Sequence, residues 1–130
     1  MGIKGFHHVA IKAIDFDRSK EFYTEVLGLK QVNAWGAPGS RAVMLACDDN
    51  SRIELFEGGE HIENQASPIL HFAFNVDSPD KFVEAVRDFG CKITTEPNTV
   101  NVQGTPGFST RMAFCEGPNG EVIEFFTPLA

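Results

Sequence analysis

Apolar residues along this chain fall into two kinds of run. Short runs alternate apolar with polar or small residues, as half-buried strands do. Two longer stretches repeat apolar residues three and four positions apart, as helices do. The first helix is predicted after Asp15-Phe16-Asp17-Arg18-Ser19, which offers capping side chains; Phe22, Tyr23, Val26 and Leu27 recur at helical spacing and Gly28 supplies a left-handed stop. The second is predicted from Ser78 as cap and Pro79 at the first helical position, through Phe82, Val86 and Phe89, to Gly90. Strand-like runs follow each helix, at 31–33, 42–46 and 52–56 and again at 92–94, 111–115 and 122–126. Pro118-Asn119-Gly120 marks a tight turn before the last strand.

The same order of elements occurs twice because the sequence itself repeats. His8-Val9-Ala10-Ile11 is matched by His71-Phe72-Ala73-Phe74, and Ile53-Glu54-Leu55-Phe56 by Ile123-Glu124-Phe125-Phe126. The histidines are 63 positions apart (8 to 71) and the glutamates 70 (54 to 124), so the second half carries an insertion, expected as a loop around 96–109. Each half reads as βαβββ, about 4–57 and 69–128, joined by a polar linker over 58–68. The expectation is one α+β domain over 1–130. Its two βαβββ modules would form a curved, half-barrel-like sheet with the helices on the convex side.

Strand parity then assigns the polar residues to faces. Val9 and Ile11 share one side of the first strand and His8 and Ala10 the other; Leu70, Phe72, Phe74 and Val76 likewise form one apolar face, turned away from His71 and Ala73. Burial of Ile53 and Leu55 turns Glu54 to the opposite side, and Ile123 with Phe125 does the same for Glu124. All four polar residues are expected on the helix-free, concave face, where Ala10 and Ala73 leave room for a ligand. His7 falls on the wrong side, and His7 and His61 are read as surface or edge residues.

Two histidines and two carboxylates on one face form a nitrogen and oxygen site suited to one divalent cation, Ni, Zn, Co or Mn, with Fe less favoured. Without a cation, two carboxylates among Phe, Ile and Leu would cost several kcal/mol of desolvation and repulsion. The expected metal ligands are therefore His8, Glu54, His71 and Glu124. Trp35, Met44, Phe108 and Met112 are candidates for the wall of an apolar pocket.

Composition narrows the possible partners. The chain has 130 residues, 42% of them hydrophobic, and a formal net charge of -7, which repels nucleic acid and anionic membranes alike. Three widely spaced cysteines form no CxxC pair and fit a reducing compartment. Neither a signal peptide nor a membrane span is evident, so a cytoplasmic protein acting on a small molecule is expected.

Phe6-His7-His8-Val9-Ala10-Ile11, Phe22-Tyr23 with Val26-Leu27-Gly28, and Gly117-Pro118-Asn119-Gly120-Glu121-Val122-Ile123-Glu124 together resemble the vicinal oxygen chelate superfamily. That superfamily includes glyoxalase I, methylmalonyl-CoA epimerase, extradiol dioxygenases, fosfomycin-modifying enzymes and bleomycin-binding proteins. The resemblance covers almost the whole chain and implies paired βαβββ modules around a cupped metal site. Within it, a His-Glu-His-Glu set is similar to bacterial glyoxalase I, whereas epimerases usually have Gln at the position of Glu54 and extradiol dioxygenases use only three ligands. The resemblance implies proton-transfer isomerisation of a 2-oxoaldehyde hemithioacetal or a related vicinal-oxygen substrate, with Glu124 as base, in a homodimer. Lys12 and Gly58 stand where glyoxalase I has the Arg and Asn that hold glutathione, which leaves the thiol open. The rival readings are a CoA-thioester epimerase, an extradiol-type dioxygenase and a non-enzymatic small-molecule or drug-binding protein.

Overall fold

The computed structural model describes residues 1–61 and 67–130, so part of the expected linker lies outside the described residues. The chain divides into two compact units, Met1–Glu63 and Asn64–Ala130. Each is built to the expected βαβββ plan.

In the first unit, β1 (His8–Ala13) is followed by α1 (Phe16–Glu21), a wider π-helical turn (Phe22–Val26), and strands β2 (Lys30–Trp35), β3 (Ala42–Ala46) and β4 (Arg52–Glu57). The Asp15 side chain caps α1 by accepting from the Arg18 amide at 3.0 Å. The wider turn follows from the Leu27 amide reaching back to the Phe22 carbonyl, five residues away. Its result is that Phe22 and Tyr23 are both fully buried, ring edge against ring face, beneath the sheet. The strand order is β1-β4-β3-β2, with β1 and β4 parallel and the other pairs antiparallel.

The second unit repeats this plan with β5 (Phe72–Asn75), α2 (Pro79–Phe89), β6 (Ile93–Val102), β7 (Phe108–Glu116) and β8 (Val122–Leu129), in the order β5-β8-β7-β6. Ser78 caps α2 and Gly90 closes it at φ 100°. Val83 and Val86 bury one face of α2 against Ile123, Phe125, Ala113 and Cys115, all six with no exposed surface. Each such large apolar side chain contributes about 1.5–3 kcal/mol of burial.

Two expectations are corrected. The stretch 96–109 is mostly a hairpin, with β6 and β7 paired from Ile93 opposite Cys115 to Val102 opposite Phe108. Thr94, Thr95, Thr99, Val100 and Val102 are β-branched and favour the ladder. Pro97, which argues against a strand, lies within an irregularity of register where no ladder donor is required. Leu70, read as part of the apolar face of β5, stands outside the strand and is 79% exposed. Its would-be partner strand β8 begins only at Val122, leaving Leu70 nothing to pair with.

Candidate metal centre

Register explains how each unit brings its own histidine to its own glutamate. Ala10 lies opposite Glu54 on the parallel β1–β4 ladder, and Ala73 lies opposite Glu124 on the β5–β8 ladder. A histidine two residues earlier on the same face therefore meets the glutamate diagonally, over an alanine methyl that blocks nothing. His8 Nε2 is 3.6 Å from Glu54 Oε1, and His71 Nε2 is 3.2 Å from Glu124 Oε1. The opposite face carries Ile53 and Leu55 in one unit and Ile123 and Phe125 in the other, all buried, so parity is fixed by the hydrophobic cores.

These pairs suit a cation. Two donors about 2.0–2.2 Å from a shared ion at right or slightly wider angles lie about 3.0–3.4 Å from each other, close to both observed separations. The glutamate side chains are only 12% and 11% exposed, and each has its histidine as its one polar partner among the described residues. A carboxylate so shielded from water, with no amide or hydroxyl donating to it, has its charge poorly compensated and gains by binding a cation. In neither unit does a third His, Cys, Asp or Glu join the pair in ligating geometry, among the described residues.

The two pairs differ in their surroundings. Phe114, opposite Glu124 on β7, sets its ring edge-on to His71 at 5.0 Å between centroids. Met44 occupies the matching place opposite Glu54. Of the other candidates, Trp35 packs edge-on to Phe56 and is 43% exposed, while Phe108 lies 6.3 Å from Phe126 between ring centroids. Met112 Sδ accepts from Asn98 Nδ2. His7 is exposed and shares a hydrogen bond with His8 between their Nδ1 atoms, 2.9 Å apart, which leaves His8 Nε2 to face Glu54. His61 is exposed beyond β4.

Thiolate chemistry has little support here. Burial pushes the Cys115 thiol up to about 12, and Cys47 is raised for the same reason. Oxygen and nitrogen donors remain the chemistry on offer.

A brace escaped the sequence reading. Arg41, just before β3, donates to both Asp17 carboxylate oxygens on α1 and to Glu57 at 2.8 Å, with its guanidinium 4.6 Å from the Phe16 ring centroid. In the second unit Arg111 of β7 grips Asp80 of α2 through Nε and Nη2 at 2.8 and 2.7 Å. The two aspartates are 63 positions apart (17 to 80) and the arginines 70 (41 to 111), the spacings of the histidines and glutamates. That coincidence was present in the sequence as the available signal. In both units it ties the helix to the sheet that carries the His–Glu pair.

Duplicated βαβββ units, each with a His–Glu pair beside its parallel strands, define the class of fold to which the chain belongs. Residues 5–125 match the Glyoxalase/Bleomycin resistance protein/Dioxygenase superfamily, and the chain belongs to it. It is 31% identical to the uncharacterized protein YwkD of Bacillus subtilis, over 97% of this chain and 98% of that one. It is 32% identical to the lactoylglutathione lyase of Haemophilus influenzae, over 91% and 88% of the two chains. Among solved structures, the trypanothione-dependent glyoxalase I of Leishmania major superposes with a TM-score of 0.66 at 27% identity, covering 96% of this chain and 87% of that one.

Proposed function

We propose that the chain is a divalent-metal-dependent enzyme of the glyoxalase I type, with His8, Glu54, His71 and Glu124 as the four protein ligands of one ion. The duplicated His–Glu pair, 3.6 and 3.2 Å across with each carboxylate largely out of water, carries this reading. Glu54 supports the glyoxalase branch over branches that put an amide there or dispense with that ligand. Similarity to lactoylglutathione lyases supports an isomerase acting on a hemithioacetal or another substrate with adjacent oxygens.

Held by His8, Glu54, His71 and Glu124, a divalent cation would supply Lewis acidity, which would make the hydrogen on the carbon beside a substrate's adjacent oxygens easier to remove. Glu124 is the base that takes this proton and returns it to the adjacent carbon. Its carboxylate lies 3.2 Å from His71 Nε2, which is its polar partner among the described residues. His71, held by the Phe114 ring edge, keeps that carboxylate oriented. Glu54 would supply the second negative charge against the cation, and His8 a neutral nitrogen donor. Met44 beside Glu54 in the first unit, and Phe114 beside Glu124 in the second, set an apolar neighbour against each carboxylate, which strengthens the electrostatics there.

The working form is a homodimer. Ile3, Phe6, Ile69 and Leu70 are 73% or more exposed in one chain, an apolar cost that a second copy would remove.

Elemental analysis of the purified protein beside Glu54→Ala, then a hemithioacetal isomerase assay with Ni, Co, Zn or Mn added back, tests the reading. About one metal per chain, lower in the variant, together with turnover is expected. Metal without turnover would redirect the search to other chelating substrates. Absence of metal under every loading condition would end the enzyme proposal.

A further inference from the structure

Arg52 opens β4 two residues before Glu54 and lies on the same face, directly opposite His8 on β1. Its guanidinium is held only by neutral groups. Nη1 is 3.8 Å from Met44 Sδ, a weak acceptor, and Nη2 donates to Asn50 Oδ1 at 3.2 Å. Its Nε–H is buried with no hydrogen-bond partner, and Nε is the one buried side-chain nitrogen or oxygen in that condition among the described residues. Burying such a donor unpaired is costly unless something else is gained. The matching position in the second unit is Val122, so the repeat plan does not require a cation there.

We propose that Arg52 is an anion-binding residue of the site, holding a carboxylate on the part of the substrate that does not react. The substrate is then an anionic vicinal-oxygen compound, such as the adduct of a 2-oxoaldehyde with a carboxylate-bearing thiol. Exchanging a thioether sulfur for a carboxylate oxygen replaces a weak neutral contact with a charge-assisted one. A modest swing of the guanidinium presents Nε and one Nη together to both carboxylate oxygens. Arg52 would be the unit's discriminating element, because His8 and Glu54 read only the oxygens at the metal. This inference rests on the isomerase reading for what happens to the substrate, though not for where its charge sits.

The test compares methylglyoxal adducts of mercaptoacetate and of mercaptoacetamide, nearly the same shape but differing by one charge, on metal-loaded protein. The wild-type ratio of kcat/KM is expected to favour the carboxylate by about tenfold. In Arg52→Met that ratio should fall to near one, and Arg52→Lys should keep part of it. Thermal melts should place Arg52→Met close to the parent, since removing the buried unpaired Nε–H offsets the loss of the Nη2 bond to Asn50. A ratio near one in the wild type, or one that survives in Arg52→Met, overturns the proposal. If neither adduct turns over, the isomerase reading fails separately. The same ratio is then read from calorimetric binding of the two lactoyl thioesters with zinc present, where equal affinity in the wild type overturns the assignment of Arg52.

Discussion

Glu57 accepts from the Gly39 and Arg41 amides and from the Arg41 guanidinium, and these bonds hold its carboxyl down to about 2, against an ordinary 4.5. A carboxyl depressed in the folded state binds its proton more readily when unfolded. Its contribution is therefore complete above about pH 4.5 and lost as pH falls toward 2. Urea melts of Glu57→Gln should show lower stability at neutral pH and a shallower loss between pH 4.5 and 2 than the parent. Ile123, fully buried beside Glu124, sets strand parity; Ile123→Ala should cost about 2–5 kcal/mol in the same melts. Residue identities on the site face were legible because the core leaves only one parity open. The orphaned Arg52 Nε–H was not, since a missing partner is a fact about space that the order of residues does not hold.

At the scale of elements, caps and stops were legible because they act through neighbours in sequence: Asp15, Ser78 and Gly90 all sit where the pattern put them. Gly90→Ala should cost about 1 kcal/mol by forcing an alanine to φ 100°, measurable by thermal melting. Gly59 follows β4 and donates to the Ala13 carbonyl, latching the end of β1. A Cβ there would come within 2.6 Å of the Lys12 carbonyl oxygen. Gly59→Ala should therefore loosen the β1–β4 ladder and reduce metal retention as well as stability, both readable from dialysed protein. The long β6–β7 hairpin was less legible, because Gly104, Pro106 and Gly107 in its turn and Pro97 in its stem resemble loop chemistry, while cross-strand pairing supplies what local propensity withholds.

For the whole molecule, the net charge of -7 predicts no retention on immobilised DNA at physiological salt; a bound fraction that salt elutes would contradict it. Light scattering should return twice the chain mass if the dimer proposal is right, and one chain mass would refute it. The doubled architecture was the most legible feature, since His8, Glu54 and their counterparts mark it directly in the sequence. The paired braces from Arg41 to Asp17 and from Arg111 to Asp80 carry that doubling further. They keep the same spacing as the His–Glu pairs, so in each unit one plan both fastens the helix and sets the pair. Arg52 against Val122, Glu57 against Thr127 and the longer second hairpin are the places where the two halves depart from that shared plan and give each unit a character of its own.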